Sequence, residues 1–213
     1  MTHALLPSIA DAGIIATLRA PNADAAYGAV DALVTGGITA IEVTYTTPGA
    51  GAVIAGLAER FGDAIILGAG TLTTVEQVEE SAASGAVFFV SPGLDDDVFE
   101  AIVATGGLSM IGGFTATEVQ RLAKLGADVV KFFPGSLGGP AALKAIRGPF
   151  PSLTYIPTGG VNATNLGDWF AAGAVAVGAG SDLIPAAALV DGDFAKIEAL
   201  ARSFVDALAA ARS

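Results

Sequence analysis

The sequence predicts an α/β fold, a (β/α)8 TIM barrel with a short N-terminal helix, from a repeating pattern and its punctuation. Eight short apolar runs, beginning near Gly13, Thr39, Ala64, Val87, Ser109, Val129, Thr154 and Ala174, alternate with longer amphipathic stretches. Successive starts lie 20 to 26 residues apart, the length of one strand followed by one helix. Unbroken strand–helix alternation calls for parallel strands, and eight parallel strands close most naturally into a barrel. The alternative, a doubly wound open sheet, carries a glycine-rich first strand-to-helix turn; here that turn reads Arg19-Ala-Pro-Asn22. No linker interrupts the pattern, so residues 1–213 are read as one domain.

Taken in order, residues 2–11 form a short amphipathic helix with Leu5, Leu6 and Ile9 on one face. Helix starts follow at Asn22, at Thr73-Thr-Val-Glu76 and at Thr115-Ala-Thr-Glu118, the last two with capping-box spacing. Gly36, Gly85, Gly126 and Gly173 fall just past helix ends, where a left-handed residue is wanted. The final helix, over 193–211, is expected to pack across strands one and eight.

Composition excludes several functions. With 10 basic and 21 acidic residues the formal charge is −11, which argues against nucleic acid as a partner. There is no cysteine, so disulfides and thiolate metal sites are out; the single histidine, His3, rules out a multi-histidine metal centre in one chain. The chain is 53% hydrophobic with a mean hydropathy of +0.64, yet its longest apolar run, 170–180, is too short to span a membrane. Its first residues lack a basic segment followed by an apolar one, so an unexported, cytoplasmic protein is expected.

Chemistry in such a barrel sits at the C-terminal ends of the strands. Strand six, predicted over 129–133 and ended by Pro134 and Gly135, carries Lys131 at its centre. Ammonium groups are rarely buried without a partner, and a neutral amine in an apolar setting is a nucleophile toward carbonyls. The chain has four lysines, Lys124, Lys131, Lys144 and Lys196, and the other three fall in predicted helices. Glu42, ending strand two, is the one carboxylate inside a predicted strand. A lysine and a glutamate at strand mouths suit imine chemistry, the amine attacking a ketone while the carboxyl group moves protons. An ion pair between them, or between Glu42 and Arg19, is the plain structural alternative.

Arg19, ending strand one, is shaped to grip a substrate carboxylate, and Thr71 is placed to add a hydroxyl. The glycine turns Thr158-Gly-Gly160 and Gly178-Ala-Gly-Ser181 follow strands seven and eight, the usual place of a barrel phosphate site. Pro92 and Phe133 are candidate apolar walls, with core packing as the alternative.

Glu42-Val-Thr44, Gly68-Ala-Gly-Thr71, Ser91-Pro-Gly93, Lys131-Phe-Phe-Pro134 and Pro157-Thr-Gly-Gly-Val161 stand in the order and spacing of one family. From about residue 13 onward the chain resembles the 2-keto-3-deoxy-6-phosphogluconate (KDPG) and 4-hydroxy-2-oxoglutarate (KHG) aldolases. The resemblance implies a cofactor-free Schiff-base aldolase for small-molecule substrates, a 2-keto-3-deoxy sugar acid phosphate and pyruvate, assembled as a homotrimer. It makes Lys131 the imine-forming residue and Glu42 the acid/base. It places Arg19 and Thr71 on the pyruvate carboxylate and Pro92, Phe133 and Thr158 around the pocket. Gly159, Gly160, Gly180 and Ser181 would hold the phosphate. In one departure, Thr46 stands where some members carry an arginine; such members can lack the strand-one arginine, so that here Arg19 substitutes for the arginine missing at position 46. Alternatives are a 2-keto-3-deoxy-6-phosphogalactonate aldolase, a phosphate-binding barrel isomerase or transferase, and a non-catalytic binding barrel.

Overall fold

A computed structural model describes residues 3–213. Eight strands occur in it: β1 Ile14–Leu18, β2 Ala40–Thr44, β3 Ile66–Gly70, β4 Phe88–Ser91, β5 Leu108–Gly113, β6 Val129–Phe132, β7 Tyr155–Pro157 and β8 Val177–Ala179. They pair in parallel in chain order from β1 to β7, with β8 on the other side of β1. A parallel bridge between Thr158 and Gly178, with the Val175 N–H donating to the Tyr155 carbonyl at 3.2 Å, closes the seam between β7 and β8. This is the expected (β/α)8 barrel. Among the described residues no helix is long and apolar enough to cross a membrane.

Strand alternation divides the apolar residues into two cores. Ile15, Phe88, Val90, Met110, Val129 and Ile156 fill the barrel interior, whereas Ile14, Leu18, Ile41, Val43, Phe132 and Val177 face outward under the helices. The first helix, α1 Leu6–Ala12, inserts Leu6 and Ile9 into the interior cluster and so plugs the N-terminal end of the barrel. Burying two such side chains contributes roughly 1.5–3 kcal/mol each. The helix starts at Leu6 rather than residue 2, because Pro7 sits in its first turn, where a missing N–H costs nothing; Thr2 lies outside the described residues.

The outer layer comprises α2 Ala23–Thr35, α3 Ala50–Phe61, α4 Val75–Ala83, α5 Asp96–Thr105, α6 Ala116–Leu125, α7 Gly139–Arg147, α8 Leu166–Ala171, α9 Ala186–Asp191 and α10 Phe194–Arg212. α10 buries Ile197, Ala201, Phe204 and Leu208 along one stripe and packs against α2 and α8, the flank of β1 and β8 anticipated from sequence. Asn22 caps α2, and Thr115 with Glu118 forms the reciprocal box at α6.

Four local expectations are corrected. The cap of α4 is Thr74, not Thr73: Thr74 accepts from the Gln77 N–H, and the Gln77 side chain reaches back to the Thr73 N–H at 2.8 Å. Gly36 is right-handed (φ −77°) and Gly37 takes the left-handed turn (φ 97°). Gly36 instead admits α10, since a Cβ there would lie 2.4 Å from that of Ala201. β6 ends at Phe132, one residue early, as the chain turns into Pro134. β8 begins at Val177, three residues late, because the left-handed turn at Gly173 leads first into an irregular approach to the barrel floor.

Candidate active site

Lys131 and Glu42 are the charged residues within the strands, and both point into the barrel mouth. Lys131 is 5% exposed and Glu42 2%. The Lys131 Nζ lies 3.8 Å from Glu42 Oε1, within ion-pair range but longer than a hydrogen bond. The half-buried Phe133 ring stands beside the amine, its centroid 5.2 Å from Nζ, while Phe132 goes to the outer core.

Backbone geometry seats the Glu42 carboxyl group. In the β1–β2 register Thr17 lies opposite Glu42, and its hydroxyl donates to Oε2 at 3.1 Å. Among the described residues Oε1 has no hydrogen-bond partner. On the β3 side the carboxyl occupies space that only a glycine leaves open: a Cβ on Gly70 would lie 1.9 Å from Oε1. The same device recurs around the mouth. Gly112, opposite Lys131 in the β5–β6 register, admits the Pro92 carbonyl, and Gly178 admits the buried Thr158 side chain. The loop carrying Pro92 is braced by the Ser91 hydroxyl donating to the Gly93 carbonyl at 2.7 Å.

Next to this pair opens a cavity of about 300 Å³, lined by Thr17, Arg19, Thr158, Gly159, Gly160, Gly180, Ser181 and Asp182 among others. The structure thus brings together both glycine turns and Arg19. Gly159 (φ 94°) and Gly160 (φ 73°) are left-handed, a conformation that glycine adopts without strain. Arg19 is exposed and donates to the Thr46 hydroxyl, which in turn bonds that of Thr44 at 2.8 Å. The strand-one arginine therefore reaches the very position after Glu42 at which the sequence departs from the family pattern. Thr71 follows β3 with φ 57°, a strained conformation for a β-branched residue. Thr17 has no part in the expectations drawn from sequence; its period-two alternation with Arg19 was the available signal. Asp182 and the clearance at Gly70 were also missed.

An eight-stranded parallel barrel with a buried amine beside a carboxyl group, and two glycine turns next to them, has the layout of a barrel enzyme with its chemistry at the C-terminal strand ends. The chain belongs to the KDPG and KHG aldolase family, whose profile matches residues 7–200. It is 40% identical over 172 residues to 2-dehydro-3-deoxy-phosphogluconate aldolase of Treponema pallidum, covering 80% of this chain and 81% of that one. It is 32% identical to 2-dehydro-3-deoxy-6-phosphogalactonate aldolase of Escherichia coli, covering 92% and 96%. Among solved structures, KDPG aldolase from Legionella pneumophila, with pyruvate captured as a covalent carbinolamine, superposes with a TM-score of 0.87. That match is 30% identical and covers 93% of this chain and 97% of the other.

Proposed function

We propose that this chain, as a single barrel domain, is a metal-independent Schiff-base aldolase. It cleaves 2-keto-3-deoxy-6-phosphogluconate to pyruvate and glyceraldehyde 3-phosphate, and by the same chemistry 4-hydroxy-2-oxoglutarate to pyruvate and glyoxylate. The observation that carries this reading is the buried Lys131 amine 3.8 Å from the buried Glu42 carboxyl group. The carbinolamine formed by pyruvate in the Legionella relative supports it.

In this mechanism the neutral Lys131 amine attacks the C2 ketone, and the proton released from nitrogen passes to Glu42. Glu42 returns it to the C2 oxygen, completing the carbinolamine; the hydroxyl then takes a second proton, drawn from solvent through Glu42, and leaves as water, giving a protonated imine. The Glu42 carboxylate then takes the C4 hydroxyl proton. The C3–C4 bond breaks, its electron pair flows to the imine nitrogen, and the aldehyde departs. Protonation of the enamine at C3 and hydrolysis release pyruvate and the free amine. Arg19 and Thr71 hold the carboxylate end, Pro92, Phe133 and Thr158 wall the reacting carbons, and Gly159, Gly160, Gly180 and Ser181 receive the phosphate.

Borohydride added with pyruvate is expected to leave a reduced, covalent adduct on the Lys131 peptide in a mass spectrum. An unmodified Lys131 in that experiment refutes the reading. The alternative substrate, the galactonate epimer, is favoured by the Escherichia coli relative, and kcat/KM measured on the two phosphorylated acids decides between them. Family resemblance also supports a homotrimer.

A further inference from the structure

We infer that Thr17 is a positioning residue for proton transfer: its hydroxyl holds Glu42 by Oε2 so that Oε1 alone exchanges protons with the substrate. The inference rests on the aldolase reading above and deepens it. Thr17 and Glu42 are register partners on adjacent strands, both facing inward, and the bond between Oγ1 and Oε2 is 3.1 Å. Oε1 is unpartnered and is the oxygen 3.8 Å from the Lys131 amine. Behind it, Gly70 leaves space but offers no side chain to hold it. Arg19, just past the end of β1, is turned to Thr46.

A carboxyl group rotates broadly about its last single bond. Without a donor on Oε2 the group is free to turn and close the gap to Lys131 as a tight ion pair. Such a pair occupies both the nucleophile's lone pair and the base at once. A hydroxyl on one oxygen prevents this, keeps the amine and the carboxyl group apart, and aims the free oxygen at the substrate. Thr17 also lines the neighbouring cavity, so the bond it makes is formed at the substrate's edge rather than in the dry core.

The test compares Thr17→Val, which keeps the shape and removes the hydroxyl, with Thr17→Ser, which keeps the hydroxyl and removes the methyl. Thr17→Ala serves as the hydroxyl-free variant if valine impairs folding. Steady-state cleavage of 2-keto-3-deoxy-6-phosphogluconate is measured together with borohydride trapping of pyruvate on Lys131. The valine variant is expected to lose about 10- to 100-fold in kcat, the weight of one hydrogen bond to a charged group, with KM little changed. Serine is expected to restore kcat to near the wild-type value. A valine variant with wild-type kcat, or a serine variant as impaired as valine, overturns the inference while a trapped Lys131 in the wild type leaves the aldolase reading standing. A wild type that traps no pyruvate overturns both.

Discussion

Gly70→Ala tests whether catalysis depends on where the Glu42 carboxyl group sits. Gly70 is not left-handed, so alanine suits the backbone, and the new methyl is the whole perturbation. Its Cβ would stand 1.9 Å from Oε1 and 2.5 Å from Cδ, where ordinary contact begins at 3.4 Å, so the oxygen must move by about 1.5 Å. Glu42 is 2% exposed and held on its other side by Thr17, which leaves movement into the substrate space or toward Lys131. A misplacement of ~1 Å in a reacting group costs about 100-fold, so kcat/KM for aldol cleavage is expected to fall by at least about that factor. Stability should fall by only about 1–3 kcal/mol, the usual range for one added methyl in a packed interior. Pyruvate release followed in a coupled assay, with urea unfolding alongside, separates the two effects. A folded Gly70→Ala protein with wild-type kcat/KM would refute the argument that this seating matters.

The remaining predictions concern the amine, the carboxylate end and one helix cap. Lys131→Arg keeps the charge but cannot form an imine; turnover is expected to drop about a thousandfold or more, and borohydride should trap no pyruvate. Arg19→Met should raise the KM for pyruvate about 10- to 100-fold in the exchange of its C3 protons with D₂O, while saturating pyruvate still labels Lys131. An unchanged KM removes Arg19 from the carboxylate site. Glu118 is held below its ordinary value of 4.5 by the Thr115 and Phe114 N–H groups, which bond its ionised form, and by the Thr115 hydroxyl. A depressed folded value means that this contribution is complete above 4.5 and is lost as pH falls through the folded value. The urea midpoints of wild type and Glu118→Gln should therefore differ at neutral pH and converge in acid; a constant difference throughout the acid range contradicts the cap's ionic character.

Much of the fold was legible because its signals are local. Each strand is a short apolar run and each helix an amphipathic one, and the Thr115–Glu118 box at α6 reads directly from residues three apart. Shifts of one to three residues, at Thr74, Gly37 and β8, arose where two adjacent residues of the same kind competed or an irregular segment stayed apolar. Lys131 and Glu42 were legible for a related reason: a charge inside a buried strand contradicts its surroundings, and such contradictions mark sites.

The sequence by itself determined the number of strands, their order, and the two ionisable groups that the interior must accommodate. What only tertiary structure decided is how those groups are held. Thr17 meets Glu42 across 25 positions of chain, and Lys131 faces it from the far side of the barrel. Gly70 matters through the methyl it lacks, and Arg19 reaches Thr46 across two loop tips. These meetings depend on strand register and on the stagger that closes the barrel. A one-residue slip in a strand would turn every one of these side chains to the opposite face, and local residue preferences carry no record of that choice.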